Sequence, residues 1–134
     1  MLAMIRVCLS VLLLGVLAAC VPQSASQPTD TDRMLVFFDE FSAHLTPEAL
    51  KTIADAANRA KATNSRSIRI EARASATGSP IANKYLAMTR SQVVADALAQ
   101  DGVNPAIVNQ VPIGQTGSGD PSVAERRVDI VIER

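Results

Sequence analysis

Aromatic side chains are scarce: the 134 residues include no tryptophan, one tyrosine and three phenylalanines. The core of a chain that is 48% hydrophobic must therefore be built from Ala, Val, Ile and Leu, enough for one small domain. Neither sign of charge is in excess, since thirteen Lys and Arg balance thirteen Asp and Glu. No basic field exists to attract nucleic acid, and no acidic tract reads as a solvating tail. Histidine occurs once, as His44, without a cysteine or second histidine nearby, which excludes a metal site founded on it. Ser42, Ser75 and Ser118 have no positioned base beside them, so no hydrolytic triad and no enzymatic reaction is expected. Gly114, Gly117 and Gly119 are followed by Pro121 instead of a helix, which argues against a phosphate-binding loop. No cofactor is expected.

Cysteine is limited to Cys8 and Cys20. Cys8 lies in an apolar run from Val7 to Leu17, preceded by the single cation Arg6, and this run is too short to span a hydrocarbon core of about 30 Å. Residues 1–19 therefore read as a secretory signal. Its end, Leu17-Ala18-Ala19-Cys20, resembles the lipobox of bacterial lipoproteins, in which cleavage leaves the cysteine as an acylated first residue. An acyl anchor on Cys20 accounts for one unpaired cysteine in an exported chain. Val21 in place of Asp favours, by analogy with enteric sorting, the outer membrane over the inner. Residues 20–33, the lipidated cysteine and a polar Ser/Thr/Pro-bearing stretch, read as a tether with a root-mean-square span of ~20 Å.

From residue 34 the pattern becomes regular, and 34–134 is expected to be one domain. Residues 34–38, MLVFF, form a short apolar run ending at Asp39 and predict a buried strand. Thr46 and Pro47 are the N-cap and first residue of a predicted helix, with Glu48 near its positive end and Leu50, Ile53, Ala57 and Ala60 on one face. Residues 67–73 alternate, Ile68, Ile70 and Ala72 against Arg69, Glu71 and Arg73, as a half-covered strand does. A second helix opens at Ser79-Pro80 and closes at Asp101-Gly102. Residues 107–113 predict a strand that Pro112 ends or confines to an edge, residues 114–122 a loop, and residues 126–133 a last strand with Val128, Ile130 and Ile132 inward. The order strand, helix, strand, helix, strand, strand predicts an α+β sandwich within the broad α/β class. It is a small mixed sheet of about four strands with two helices packed on one face.

One residue interrupts this pattern. Leu86, Arg90, Val94 and Leu98 follow at four-residue steps, which puts a guanidinium on the core face of the second helix. It reads either as a residue that faces a ligand or as a helix arginine with a buried stem, paired with Asp39 or Glu71.

The residues around Arg90 resemble the OmpA-like domain family, which includes peptidoglycan-associated lipoproteins, the C-terminal domain of outer-membrane protein A and flagellar stator subunits. The family motif runs T-D-x-x-G, then N-x-x-L-S-x-x-R-A-x-x-V-x-x-x-L. This chain has Ala74-Ser75-Ala76-Thr77-Gly78, then Asn83, Leu86, Ala87, Arg90, Ser91, Val94 and Leu98 at the same spacings. VFFDEFSAHLTPEA and ERRVDIVIE resemble the family's opening and closing segments, so the resemblance runs over roughly residues 34–133. It implies non-covalent binding of a peptidoglycan stem peptide through its diaminopimelate, whose carboxylate and ammonium share one carbon. Arg90 would fork onto the carboxylate, and the motif aspartate would take the ammonium. Asn83, Thr77, Ser75 and Leu86 would line the site, and one of the pair Arg126 and Arg127, taken as Arg127, would border it.

Two departures stand out. Ser75 occupies the motif aspartate position, and Phe41 falls where the family has a polar or acidic residue after its first strand. Loss of one charge-assisted contact costs roughly 1.5 to 3 kcal/mol, so binding is expected to be weak or altered. Glu40 and Glu125 are the carboxylates that would replace the missing acid. The resulting expectation is a lipoprotein anchored in the outer membrane by acyl chains on Cys20, its domain facing the periplasm and holding peptidoglycan. The alternative is an interaction module for an envelope protein partner, without peptidoglycan binding.

Overall fold

The structure, a computed structural model, describes residues 32–117 and 122–134. The signal segment and Cys20 lie outside the described residues. Six main elements follow in the expected order: β1 (Arg33–Phe37), α1 (Pro47–Ala62), β2 (Ser67–Ala74), α2 (Pro80–Gln100), β3 (Val108–Gln115) and β4 (Arg127–Glu133).

Local chemistry sets the helix limits. The Thr46 hydroxyl accepts from the Ala49 N–H at 3.2 Å and caps α1, with Pro47 in the first turn. The end of α2 is closed by Gly102, whose φ of 89° belongs to the left-handed region that glycine enters freely. The sheet order is β1-β4-β2-β3, with β4 antiparallel to both neighbours and β2 parallel to β3. β1, β2 and β3 therefore point the same way, and their C-terminal ends share one end of the sheet.

Alternation divides the sheet into two faces. Ile68, Ile70, Ala72, Val128, Ile130 and Ile132 are buried beneath the helices, together with Val36, Phe38, Ile53, Val94 and Leu98. Alanines at 56, 57, 60, 87 and 97 bring the helices close to this surface. Leu50 does not join them. The buried stripe of α1 is Ala49, Ile53, Ala56, Ala57 and Ala60, and Leu50 falls to one side of it in the first turn, exposed. β3 is an edge strand, which is why Pro112 can remain inside it. The strand runs to Gln115, past the predicted end, after a register shift opposite Ala72 and Arg73.

The other face carries ions. Asp129 is fully buried there, with Arg33 at 2.6 Å, Arg127 at 2.8 Å and Arg73 at 2.9 Å. Glu71 meets Arg69 at 2.9 Å and Arg73 at 3.3 Å, and Arg69 also pairs with Glu133.

Candidate functional site at the strand ends

The turn that follows β1 is built around one residue in an unusual conformation. Ser42 donates its N–H to the Asp39 carbonyl at 3.2 Å, and Phe41, third in this four-residue turn, has φ 55°. A non-glycine residue there is strained by about 1 kcal/mol or more, so something must hold the turn. Arg90 does. Its Nη2 donates to the Asp39 carbonyl at 2.9 Å and its Nε to the Ser42 carbonyl at 2.8 Å, gripping both ends of the Glu40-Phe41 tip. Its Nη1 donates to the carbonyl of Arg73 in β2 at 2.9 Å, and the guanidinium lies 5.0 Å from the centre of the Phe38 ring.

Arg90 is 0% exposed and meets no carboxylate among the described residues. Neither pairing expected of a structural arginine is present: Asp39 contributes only its main-chain oxygen, and the Glu71 side chain binds arginines on the opposite face. Burial first, and the charge of Arg126 second, push its pKa down to about 10, so it remains a cation at neutral pH. The result is a buried positive charge balanced by carbonyl dipoles and the Phe38 ring, with no counter-anion among the described residues.

Beside it is a depression of about 200 Å³ lined by Phe41, Thr77, Gly78, Ser79, Ala82, Asn83 and Leu86. Its position, at the C-terminal ends of β1 and β2 and the start of α2, is where open α/β sheets place ligands. Asn83 donates from Nδ2 to the Thr77 carbonyl at 3.0 Å and so fixes the loop between β2 and α2. Ser75, 5% exposed, shares a hydrogen bond with the Thr77 hydroxyl at 2.8 Å. The Thr77 hydroxyl also lies 3.4 Å from Glu40 Oε1, donating to that carboxylate.

Of the residues expected at the site, Asn83, Thr77 and Leu86 line this depression, Ser75 adjoins it through Thr77, and Arg90 does not line it but holds the turn that carries Phe41. Arg127 does not belong with them. It is on the opposite face of the sheet, bonded to Asp129 and to the Ala124 carbonyl. Arg126 is the member of the pair whose charge reaches Arg90, and its Nε donates to the Phe38 carbonyl at 3.3 Å. Strand parity carried this signal, because Arg126 shares alternation with the inward Val128. Of the two replacement acids, Glu40 sits at the rim, whereas Glu125 forms no hydrogen bond with any of these side chains. No cluster able to hold a metal ion is present among the described residues, and none of their helices is long and apolar enough to cross a membrane.

A four-stranded mixed sheet with two helices on one face and a small depression at the strand ends defines a compact α+β domain. The chain belongs to the OmpA family, whose model matches residues 37–128. Among solved structures it is similar to the peptidoglycan-associated lipoprotein of Burkholderia pseudomallei, with 26% identity over 75% of this chain and 90% of that one, at a TM-score of 0.66. The OmpA-like domain of FopA1 from Francisella tularensis subsp. tularensis SCHU S4 is 24% identical over 75% of this chain and 73% of that one, at a TM-score of 0.61. The C-terminal domain of Helicobacter pylori MotB is 23% identical over 75% and 84%, at a TM-score of 0.65. No curated protein matches the chain in sequence.

Proposed function

We propose that this domain binds peptidoglycan non-covalently and, through acyl chains on Cys20, holds the outer membrane to the wall from the periplasmic side. The observation that carries the reading is the depression beside the turn that Arg90 holds. A cation that no carboxylate cancels lies near a small pocket with hydroxyl, amide and apolar walls, in residues that follow the family motif. A pocket of this size suits the end of one amino acid, and its uncancelled positive charge favours a carboxylate. The diaminopimelate end of a stem peptide supplies that group. The named role of the Burkholderia pseudomallei neighbour supports the same ligand.

Arg90 acts here chiefly through its field and through the turn it grips. Direct contact with a ligand needs the 39–42 turn to lift, because its three nitrogens already face carbonyls. The reading involves no catalytic step.

The test is co-sedimentation of the detergent-solubilised full chain with purified sacculi, with and without an excess of soluble diaminopimelate-containing stem tripeptide. Pelleting that the tripeptide releases is expected. Absence of pelleting by folded protein would sink the reading in favour of an envelope protein partner. That second reading is favoured by Ile81, Tyr85 and Met88, which form an exposed apolar stripe on the outward side of α2.

A further inference from the structure

Glu40 has no structural duty that the fold requires. It is exposed at the tip of the turn after β1, forms no ion pair among the described residues, and its carboxylate has one side-chain contact, the Thr77 hydroxyl at 3.4 Å. Yet the turn that presents it is among the most constrained segments of the molecule. Arg90 grips the carbonyls on both sides of Glu40 and Phe41, and Phe41 holds a left-handed backbone with its ring 3.9 Å from where a side chain on Gly78 would begin. An unpaired acid carried at the edge of a depression, on a turn held by a cation without a counter-anion, is a separation of charge that nothing within the described residues neutralises.

Resting on the peptidoglycan reading above, we infer that Glu40 is the specificity-determining anion of this site and takes the ammonium of a zwitterionic amino-acid end. The carboxylate that the motif would place at position 75 is supplied from a different loop. Three features support this. Ser75 and Thr77 hydroxyls are joined at 2.8 Å and Thr77 reaches Glu40, so a continuous polar path leads from the motif position to the new acid. Phe41 and Leu86 wall the depression on its apolar sides, which lowers local dielectric and strengthens an ion pair formed there. The buried cation holds the same turn, so a ligand bearing both charges on one carbon meets the Glu40 carboxylate and the field of Arg90 at one place.

This predicts discrimination by the ligand's amine and not merely by its acid. The experiment is a cycle of two proteins and two ligands. Binding of the diaminopimelate-containing stem tripeptide, and of the same tripeptide acetylated on the side-chain amine of its diaminopimelate, is measured by calorimetry for the detergent-solubilised full chain and for Glu40→Gln. Glu40 is exposed and holds no core contact, so folding is unaffected and is confirmed by an unchanged melting temperature. Acetylation is expected to weaken wild-type binding tenfold or more, and to change binding by Glu40→Gln by less than twofold. Adding Ser75→Asp to Glu40→Gln is expected to restore the preference for the free amine. Wild-type binding that Glu40→Gln leaves unaltered would overturn the assignment of Glu40 while leaving the site intact. Failure of the wild type to bind either tripeptide would overturn the site itself, and the assignment with it.

Discussion

Among the described residues two charged side chains are fully buried, Arg90 on the helix side of the sheet and Asp129 on its far side, and they are treated in opposite ways. Asp129 is an anion enclosed by three guanidinium groups within 2.9 Å, two of which, Arg33 and Arg73, also meet Glu71. Arg90 is a cation enclosed by three main-chain carbonyls, with a second arginine as its nearest charged influence. The first cluster is closed upon itself and offers nothing to a ligand. The second is hydrogen-bonded but not neutralised, and a depression lies beside the turn it holds. Full burial with matched charge marks a structural joint, whereas full burial with unmatched charge marks a place prepared for something else.

The largest way to break this contrast is Arg90→Ala. It leaves three carbonyls without their donor and releases a strained turn, and the loss is expected to be on the order of 4 kcal/mol, read as a large fall in denaturation midpoint. Because the fold itself suffers, that substitution cannot serve as a clean test of binding. Asp129→Asn leaves three arginines around a neutral amide and is expected to cost about 3 kcal/mol while leaving affinity for the stem tripeptide unchanged. Equal loss of binding in a folded Asp129→Asn protein would erase the distinction between the two clusters.

Thr77→Val is milder. It removes the hydroxyl that joins Ser75 to Glu40, and a roughly tenfold drop in tripeptide affinity is expected with a stability change within about 1 kcal/mol. Phe41→Asn, measured by chemical denaturation, is expected to stabilise by about 0.5 kcal/mol, since asparagine tolerates the left-handed backbone and the ring it replaces is 68% exposed. It should also weaken binding through the lost apolar wall.

The smallest effect concerns Asp32, whose carboxyl is held below its ordinary pKa of 3.8 chiefly by the hydrogen bond from Arg59. A depressed carboxyl contributes stability above its unfolded pKa and loses it as pH falls through the folded one. Asp32→Asn should therefore lower stability slightly near neutrality and flatten the curve below pH 4, the two proteins converging at acid pH in denaturation runs at a series of pH values.

Much of the fold was legible because its signals are local. Thr46-Pro47, Ser79-Pro80 and Asp101-Gly102 marked helix limits within a few residues, and alternation in residues 67–73 and 126–133 assigned both faces of the sheet before any strand was paired. The site was legible only as a set of members. Arg90 finds its acceptors 17, 48 and 51 residues away, and no spacing rule reveals that they are carbonyls instead of carboxylates. Arg127 was misplaced for a simpler reason, since adjacent strand residues point to opposite faces and the family pattern does not say which one matters here. The Thr77 to Glu40 contact joins two loops across 37 residues and depends on a left-handed residue that only coordinates disclose.

The direction of β1 has a mechanical consequence. The strand begins at Arg33, next to residues 20–32, and ends at Phe37, beside the turn that shapes the depression. A protein held at its N-terminal side by a membrane and at the depression by a rigid wall would feel tension along β1 itself. The five residue pairs between β1 and β4, from Arg33 with Val131 to Phe37 with Arg127, would then be loaded together in shear, not opened one after another. Parallel loading of a ladder resists pulling far better than sequential peeling, so the shortest strand in the sheet is oriented to act as a tie rod.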